Sequence, residues 1–242
     1  MADAFLAVLL APSCLACGAL LESPTRGPVC LECWRSVRAL SPPLCSCCGE
    51  PLPASREPFL CRRCLAAPPG VSIGRSAGAY EGALRAIVHA LKYDGHEGLA
   101  RPLAALLRER APEVLRNADC AVPVPLHWRR QFARGFNQAE LIARGLGVPV
   151  VRALRRGRAT RAQFGLTPRA RRQNVRGAFE PARRHAVFGA RGVARVAGAR
   201  VVLVDDVTTT GATLRECAEA LRRMGAREVR ALTVARALRM RP

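Results

Sequence analysis

The sequence predicts an α/β protein in which helices flank a mostly parallel sheet, with a small cysteine-rich module in front. Beyond residue 70, apolar runs alternate with helical patterns, which is typical of a parallel sheet. Nine of the eleven cysteines lie within the first 64 residues, and a Pro/Gly stretch over 66–70 follows them. With 242 residues the chain can bury a substantial core. We therefore predict two domains, residues 1–68 and 69–242.

The cysteines of the front module form four C-x-x-C pairs, which favour metal binding over disulfides in an intracellular chain. Eight thiolates suffice for two closed, tetrahedral, structural Zn²⁺ sites. Pairing in sequence order is the simplest topology and resembles a double zinc ribbon, although an interleaved pairing satisfies the spacing equally. Redox use of the thiols is the alternative, and Cys47 is assigned no role. The predicted zinc ligands are Cys14, Cys17, Cys30, Cys33, Cys45, Cys48, Cys61 and Cys64.

The larger region is predicted from its apolar periodicity. In the first helix, Leu84, Ile87 and Leu91 fall at helical spacing, and in the last helix Leu214 and Cys217 share an apolar face, so we expect Cys217 in the core. The predicted helices are 82–93, 137–147 and 212–225, and the predicted strands are 120–126, 148–154, 200–206 and 228–234.

The net charge of +21 is unevenly distributed. The front module is nearly neutral, so we interpret it as a structural or docking module, whereas 152–200 contains fourteen arginines and one acid. Such a basic stretch is typical of nucleic-acid binding, and the alternative is solvated surface charge. The apolar run Phe5–Ala11 is short and follows Asp3, which makes a poor signal peptide, so we expect a cytoplasmic protein without membrane insertion.

The stretch "VVLVDDVTTTGAT" (201–213) combines two carboxylates with an anion-binding loop. Asp205 and Asp206 end an apolar strand, at the sheet edge where parallel sheets bind ligands. The 208–213 loop offers hydroxyls, backbone N–H groups and a helix N-terminus, which together suit a phosphate. The carboxylates suit a vicinal diol or a cation, so a ribose 5-phosphate satisfies both halves. No Walker A lysine and no G-x-G-x-x-G is present.

This stretch resembles the phosphoribosyl pyrophosphate (PRPP) loop of type I phosphoribosyltransferases, and the whole chain resembles the ComF family of competence-associated proteins. The resemblance also rests on "YEGALRAIVHALKYDG" (80–95), "VPVPLHWRRQFARGFNQAELIA" (122–143) and "TRAQFGLTPRARRQNVRGAF" (160–179). It implies a type I phosphoribosyltransferase-like fold, PRPP with Mg²⁺ as ligand, and transfer of the phosphoribosyl group to a nitrogen nucleophile. The stretch 180–198 is longer and more basic than the resemblance leads us to expect.

The resemblance also implies roles for individual residues. Asp205 and Asp206 would bind the ribose hydroxyls and Mg²⁺. The 5-phosphate would lie on Thr208, Thr209, Thr210, Gly211, Ala212 and Thr213. The loop after an earlier strand would meet the pyrophosphate, and the segment 160–174 would form a lid; their candidates are Arg130, Arg134, Asn137, Gln138, Gln163, Arg171 and Asn174. The alternative for each arginine is a solvated surface charge.

Lys92 is the only lysine among 39 basic residues. This favours a position whose function needs an ammonium group rather than the larger, planar guanidinium. We predict that its ammonium donates to a phosphate oxygen; the alternative is ordinary surface. Tyr93 is predicted at the edge of the core.

Two functions of different classes fit the sequence. The first is an active transferase whose nucleophile is unknown. The second is a non-catalytic protein of DNA uptake that binds single-stranded DNA or a competence-machinery partner, using the arginines of 152–200.

Overall fold

A computed structural model of the chain describes residues 11–53, 59–157, 175, 177–182 and 195–238. The helices are α1 (Leu31–Arg35), α2 (Arg62–Ala66), α3 (Gly82–Tyr93), α4 (Ala100–Arg110), α5 (Pro112–Leu115), α6 (Trp128–Arg134), α7 (Gln138–Arg144) and α8 (Ala212–Arg223). The strands are β1 (Gly74–Ala79), β2 (Cys120–Pro123), β3 (Leu154–Arg156), β4 (Phe179–Pro181), β5 (Arg200–Thr208) and β6 (Glu228–Arg236).

Four strands form a wholly parallel sheet in the order β1-β6-β5-β2, which confirms the predicted fold class. The central strand β5 contains the run Val201–Val204, in which every residue is fully buried. A parallel strand covered on both faces favours such a continuous apolar run. The predicted strands 200–206 and 228–234 are therefore the two central strands.

Alternate residues of β5 point to opposite layers of the core. Val202 and Val204 pack against helices α3, α4 and α7, whereas Val201 and Leu203 pack against α8 and the β3–β4 pair. Cys217 on α8 is fully buried, as its helical spacing predicted. Both layers end at the carboxyl edge of the sheet, where the loops after β2 and β5 meet.

The predicted strand 148–154 is wrong in its extent. Val150 makes a single parallel bridge with Ala121, and the chain pairs again only in β3, antiparallel to β4 and outside the main sheet. Arg152 lies in the middle of the apolar run and turns outward to the carboxylate of Glu140, with Nε to Oε2 at 2.9 Å. This charge interrupts the apolar face that a continuous strand would need.

The cysteine-rich module packs on two sides of the sheet layers. Its first half contributes Cys14, Leu21 and Val37 to the same core cluster as helices α3 and α4. Its second half lies against β1, where the Gly74 amide donates to the Cys47 carbonyl at 2.6 Å. The predicted boundary between 1–68 and 69–242 stays a prediction, because these contacts join the two regions.

Within the described ranges, none of the helices has the length and apolar character needed to cross a membrane.

Candidate functional site

The cysteine pairs converge into two separate sites of four cysteines each. In each site the four sulfur atoms lie within 4.8 Å of one another, and the members follow sequence order. The Cys17 and Cys30 sulfurs are 3.9 Å apart, and the Cys48 and Cys61 sulfurs 3.7 Å. Zn–S bonds of about 2.3 Å in a tetrahedron place sulfurs about 3.8 Å apart. The first cysteine site is Cys14, Cys17, Cys30 and Cys33, and the second cysteine site is Cys45, Cys48, Cys61 and Cys64.

The surroundings of both sites also fit structural zinc. Backbone amides donate to the sulfurs, from Cys30 to Cys14 at 3.3 Å and from Cys61 to Cys45 at 3.4 Å. Such N–H···S contacts orient thiolate ligands and offset their charge. Cys47 is not part of either cluster; its thiol donates to the Val71 carbonyl at 3.2 Å. The residues present therefore fit two closed Zn²⁺ sites.

A pocket of about 460 Å³ lies at the carboxyl edge of the sheet and is named here the carboxylate pocket. Its walls come from the ends of α3, β2 and β5, from α6, and from the start of α8, because parallel strands bring these loops to one edge. The pocket contains two acids and four basic side chains. It is lined by Tyr80, Lys92, Tyr93, Val124, Pro125, Leu126, Arg130, Arg134, Gln138, Arg156, Asp205, Asp206, Val207, Thr209 and Thr213.

Both oxygens of Asp206 have a partner. The Lys92 ammonium lies 2.7 Å from Oδ1, and the Gln138 amide donates to Oδ2 at 2.5 Å. Burial alone would lower the pKa of Lys92, but the Asp206 charge outweighs this and raises the pKa above its ordinary value. Lys92 is therefore a charged residue of the pocket, and the ordinary-surface interpretation is wrong.

Asp205 lies beside Asp206 and is held differently. Its Oδ1 accepts from the Asp206 backbone amide at 2.9 Å. Burial, and then the neighbouring charge of Asp206, raise the pKa of Asp205 to about 7. Two adjacent carboxylates resist full ionisation, so the pair favours a ligand that brings positive charge.

The 208–213 loop turns into α8 directly beside the acids. Gly211 has a φ of 75°, a left-handed backbone conformation that residues other than glycine rarely adopt, and α8 begins at Ala212. Thr209 and Thr213 line the carboxylate pocket. Thr208 and Thr210 line a second, small space behind the loop. The residues predicted to bind the phosphate thus lie on one loop, which has one side at the carboxylate pocket and the other at the small space behind it.

Three guanidinium groups also line the pocket. Arg130 and Arg134, which were predicted on a loop, lie on the helix α6. Arg134 lies 4.8 Å above the ring of Tyr93 and donates to Gln138 at 3.3 Å. Arg156, at the end of β3, was missed because nothing in its spacing distinguishes it from the other arginines around it. Burial and the nearby charge of Arg130 lower the pKa of Arg156.

The predictions for Tyr93 and Asn137 need correction, and those for the lid concern residues that the structure does not describe. Tyr93 is 62% exposed at the pocket rim, not at the core edge, because the helix ends there. Asn137 is the N-cap of α7, accepting from the Ala139 amide at 3.0 Å and donating to the Val124 carbonyl at 3.1 Å, so its side chain shapes the pocket wall. The lid candidates Gln163, Arg171 and Asn174 lie outside the described residues.

Comparison with known proteins agrees with this architecture. A family model described as "Phosphoribosyl transferase domain" matches residues 133–241, and one described as "Double zinc ribbon domain" matches residues 5–65. The DNA utilization protein YhgH of Salmonella typhimurium is 36% identical over 220 residues, which cover 87% of this chain and 91% of that protein. Competence protein F of Haemophilus influenzae is 32% identical over 234 residues, which cover 93% and 96%.

A solved structure titled "structure of the allosteric regulatory enzyme of purine biosynthesis" is 26% identical, with a TM-score of 0.35 over 56% of this chain and 26% of that one. At that score the likeness carries no weight beside the family models. The class is thus defined by a double zinc ribbon that precedes a phosphoribosyltransferase domain. Within this class, the chain belongs to the ComF family.

Proposed function

We propose that the carboxylate pocket binds PRPP with Mg²⁺ and that the protein transfers the phosphoribosyl group to a nitrogen nucleophile. The observation that carries this proposal is the juxtaposition of two acids, the buried Asp206 and the half-buried Asp205, with a helix-starting loop and four basic side chains around one pocket. A ligand that fits it has a phosphate, a diol and a further polyanion, and brings a divalent cation. PRPP–Mg²⁺ has all four features.

The roles follow from the position of each group. Asp205 and Asp206 would accept hydrogen bonds from the ribose hydroxyls and hold Mg²⁺, because carboxylate oxygens are hard ligands. The 208–213 loop would bind the 5-phosphate with the N-terminus of α8. Arg130, Arg134 and Arg156 would face the pyrophosphate, since guanidinium groups pair with phosphate oxygens in a bidentate manner.

In the transfer, the nitrogen lone pair forms a bond to C1 of the ribose while the bond from C1 to the pyrophosphate oxygen breaks. The electron pair leaves with the pyrophosphate, and the nitrogen loses its proton. Bound Mg²⁺ would neutralise charge on the leaving pyrophosphate. The chain's own contribution is to hold the diol and both phosphate groups in place and to stabilise the departing negative charge with arginines.

Lys92 fits this function as the charge partner of the acids. Its ammonium offsets the Asp206 carboxylate at 2.7 Å. With PRPP–Mg²⁺ bound, the cation would take over part of this role, and the ammonium could then reach a phosphate oxygen. The predicted phosphate contact and the observed ion pair are therefore compatible.

The test is calorimetric titration of PRPP with and without Mg²⁺, for the unchanged protein and for the double variant Asp205→Asn with Asp206→Asn. We expect Mg²⁺-dependent binding that the double variant weakens by about 2 kcal/mol or more, because hydrogen bonds to charged acceptors are lost. Asp94→Asn is the matched control, since Asp94 is exposed at the end of α3. Equal affinity in the double variant and the control would refute the assignment of the acids.

Helix α6 favours a second candidate function, binding of single-stranded nucleic acid without catalysis. Trp128 and Phe132 lie one turn apart and are 65% and 90% exposed. Arg129 lies 5.2 Å from the Trp128 ring centre. Exposed aromatic rings beside arginines are a stacking surface for unpaired bases. The names of the relatives, DNA utilization protein and Competence protein F, point in the same direction.

This candidate is tested by binding of a labelled single-stranded oligonucleotide at two salt concentrations. The variant Trp128→Ala with Phe132→Ala should lose affinity by about 2 kcal/mol or more in total. Gln131→Ala, exposed on the same helix, is the control. Affinity that stays equal in the aromatic variant would remove α6 from the nucleic-acid interface.

The two cysteine sites would hold structural zinc, and reduced thiols suit the cytoplasm. We place the domain boundary near residue 68, because α2 ends at Ala66 and β1 begins at Gly74. The acceptor nucleophile and a competence-machinery protein are the unidentified partners.

A further inference from the structure

We propose that the second cysteine site positions the 208–213 loop and that Arg63 is the residue that joins them. Arg63 lies in α2, between the ligands Cys61 and Cys64. Its Nη1 donates to the Thr209 carbonyl at 3.2 Å, across a sequence separation of 146 residues. The inference rests on the proposed function only in giving the loop a ligand; the contact itself is independent of it.

A carboxylate fixes the orientation of Arg63. Glu50 follows the Cys45–Cys48 pair by two residues, and its Oε2 accepts from Arg63 Nη2 at 2.7 Å. The same oxygen accepts from Arg236 Nη1 at 2.8 Å. The Arg63 guanidinium contacts both Glu50 and the Thr209 carbonyl. The position of the loop therefore depends on the Cys45–Cys48 segment, which Glu50 follows. Hydrogen bonds of charged groups are directional enough to transmit such a constraint.

The end of strand β6 also contacts the Cys45–Cys48 segment. Arg236 is the last residue of β6 and the register partner of Thr208, where the loop begins. Its guanidinium is buried and also donates to the Cys48 carbonyl. Zinc at the second cysteine site would fix this carbonyl through the Cys48 ligand. Two arginines therefore connect the second cysteine site to the loop: Arg63 lies between two of its cysteines, and Arg236 contacts the Cys48 carbonyl.

The space behind the loop is not closely packed, so the contacts of Arg63 and Arg236 are needed to hold the loop in position. A cavity of about 30 Å³, the rear cavity, separates the loop from the second cysteine site and is lined by Cys48, Arg63, Thr208, Thr210 and Gly211 among others. The Thr208 hydroxyl and Arg236 Nε are buried and have no hydrogen-bond partner within the ranges that the structure describes. Apolar packing therefore does not fill the space under the loop, and polar contacts such as that of Arg63 hold its position.

The first cysteine site provides an internal comparison. It contacts the opposite side of the core, where the Ala79 amide donates to the Arg38 carbonyl at 2.9 Å and Arg110 Nη2 donates to the Val37 carbonyl at 3.1 Å. None of these groups lines the rear cavity or the carboxylate pocket. Zinc at the first cysteine site should therefore stabilise the chain without positioning the loop.

The experiment compares Arg63→Gln with Arg62→Gln, the adjacent and exposed arginine. Amide hydrogen exchange of residues 208–213 is measured without PRPP, together with zinc content and melting temperature. We expect Arg63→Gln to speed exchange of the loop about tenfold with two zinc ions retained, because a charge-assisted hydrogen bond is lost. Arg63→Lys should restore part of the protection, since an ammonium reaches one of the two acceptors.

Two further measurements separate this inference from the proposed function. Cys64→Ala should speed loop exchange and Cys17→Ala should not, as each empties one zinc site. PRPP affinity should fall about tenfold in Arg63→Gln and stay unchanged in Arg62→Gln. Equal loop exchange in Arg63→Gln and Arg62→Gln would overturn the positioning role. Absence of PRPP binding by the unchanged protein would instead overturn the proposed function, while the exchange data still decide the role of Arg63.

Discussion

Replacing Lys92 by methionine removes one partner of a buried ion pair and leaves the other in place. The side chains of Lys92 and Asp206 are only 15% and 8% exposed, and Nζ lies 2.7 Å from Oδ1. Methionine keeps most of the length and the apolar stem of lysine, so packing at this position of α3 changes little. The perturbation is therefore the loss of one positive charge beside two carboxylates.

The magnitude follows from this geometry. At an effective dielectric constant of about 20, charges 2.7 Å apart attract by about 6 kcal/mol, before the cost of desolvation. Removing one partner of a buried pair destabilises proteins by about 3–5 kcal/mol. We expect a loss near the lower limit, about 3 kcal/mol at pH 8, because Gln138 still donates to Asp206. For a chain of this size that loss lowers the melting temperature by about 6–12 °C.

The assay is thermal or urea unfolding of Lys92→Met at pH 8 and pH 5.5, beside Arg85→Met as the control. Arg85 is an exposed residue of the same helix. At pH 5.5 the Asp205 carboxyl, whose pKa is raised to about 7, is protonated, so less negative charge is left without a partner and the penalty should shrink. Lys92→Arg keeps the charge and should retain most of the stability, while losing most PRPP binding. A loss in Lys92→Met that is the same at both pH values would refute the electrostatic argument and leave only packing.

Three further predictions address the metals, the acids and the pH dependence of stability. Freshly purified protein should contain two zinc ions per chain, and elemental analysis well below two would contradict the pair of four-cysteine sites. PRPP–Mg²⁺ binding at pH 7 should release about half a proton, because a pKa of about 7 leaves Asp205 half protonated; calorimetry in buffers of different ionisation enthalpy measures this, and Asp205→Asn should abolish it. The pKa of Asp205 in the folded protein lies above its value in the unfolded chain. Its contribution to the free energy of unfolding is therefore present below about pH 4 and is lost as the pH rises to about 7. In Asp205→Asn, the free energy of unfolding should not show this decrease between pH 4 and pH 7.

The sequence predicts the parts of the site that lie directly at the end of one strand, without contacts from distant segments. The apolar run before Asp205 defines a buried strand, and the glycine after the threonines defines the turn into α8, so both acids and the loop were expected at the sheet edge. Lys92 could be singled out only because the rest of the basic residues are arginine. Its partner was not predictable, because α3 and β5 are far apart in the sequence and only the packed fold brings them together.

Other residues carry no local signal that distinguishes their roles. Asn137 and Gln138 are adjacent polar residues, yet one caps a helix and the other donates to Asp206. Arg63 lies in a module that was interpreted as a separate structural unit, and its contact with Thr209 joins distant parts of the chain. Loss of zinc from the second cysteine site should therefore disturb the 208–213 loop of the larger domain, whereas loss of zinc from the first should not.

The arginines of 152–200 show why net charge alone does not establish a nucleic-acid interface. Among those that the structure describes, Arg152 pairs with Glu140 and Arg155 pairs with Glu180, so both charges are offset by an acid of the same domain. Arg156 turns into the carboxylate pocket, where it faces a proposed pyrophosphate. A charge of this kind steers any polyanion, whereas stacking on Trp128 and Phe132 is specific for bases. If both ligands bind, inorganic pyrophosphate should compete with PRPP and leave the stacking component of DNA binding in place, because α6 presents Arg130 and Arg134 to the pocket and its aromatic rings to solvent.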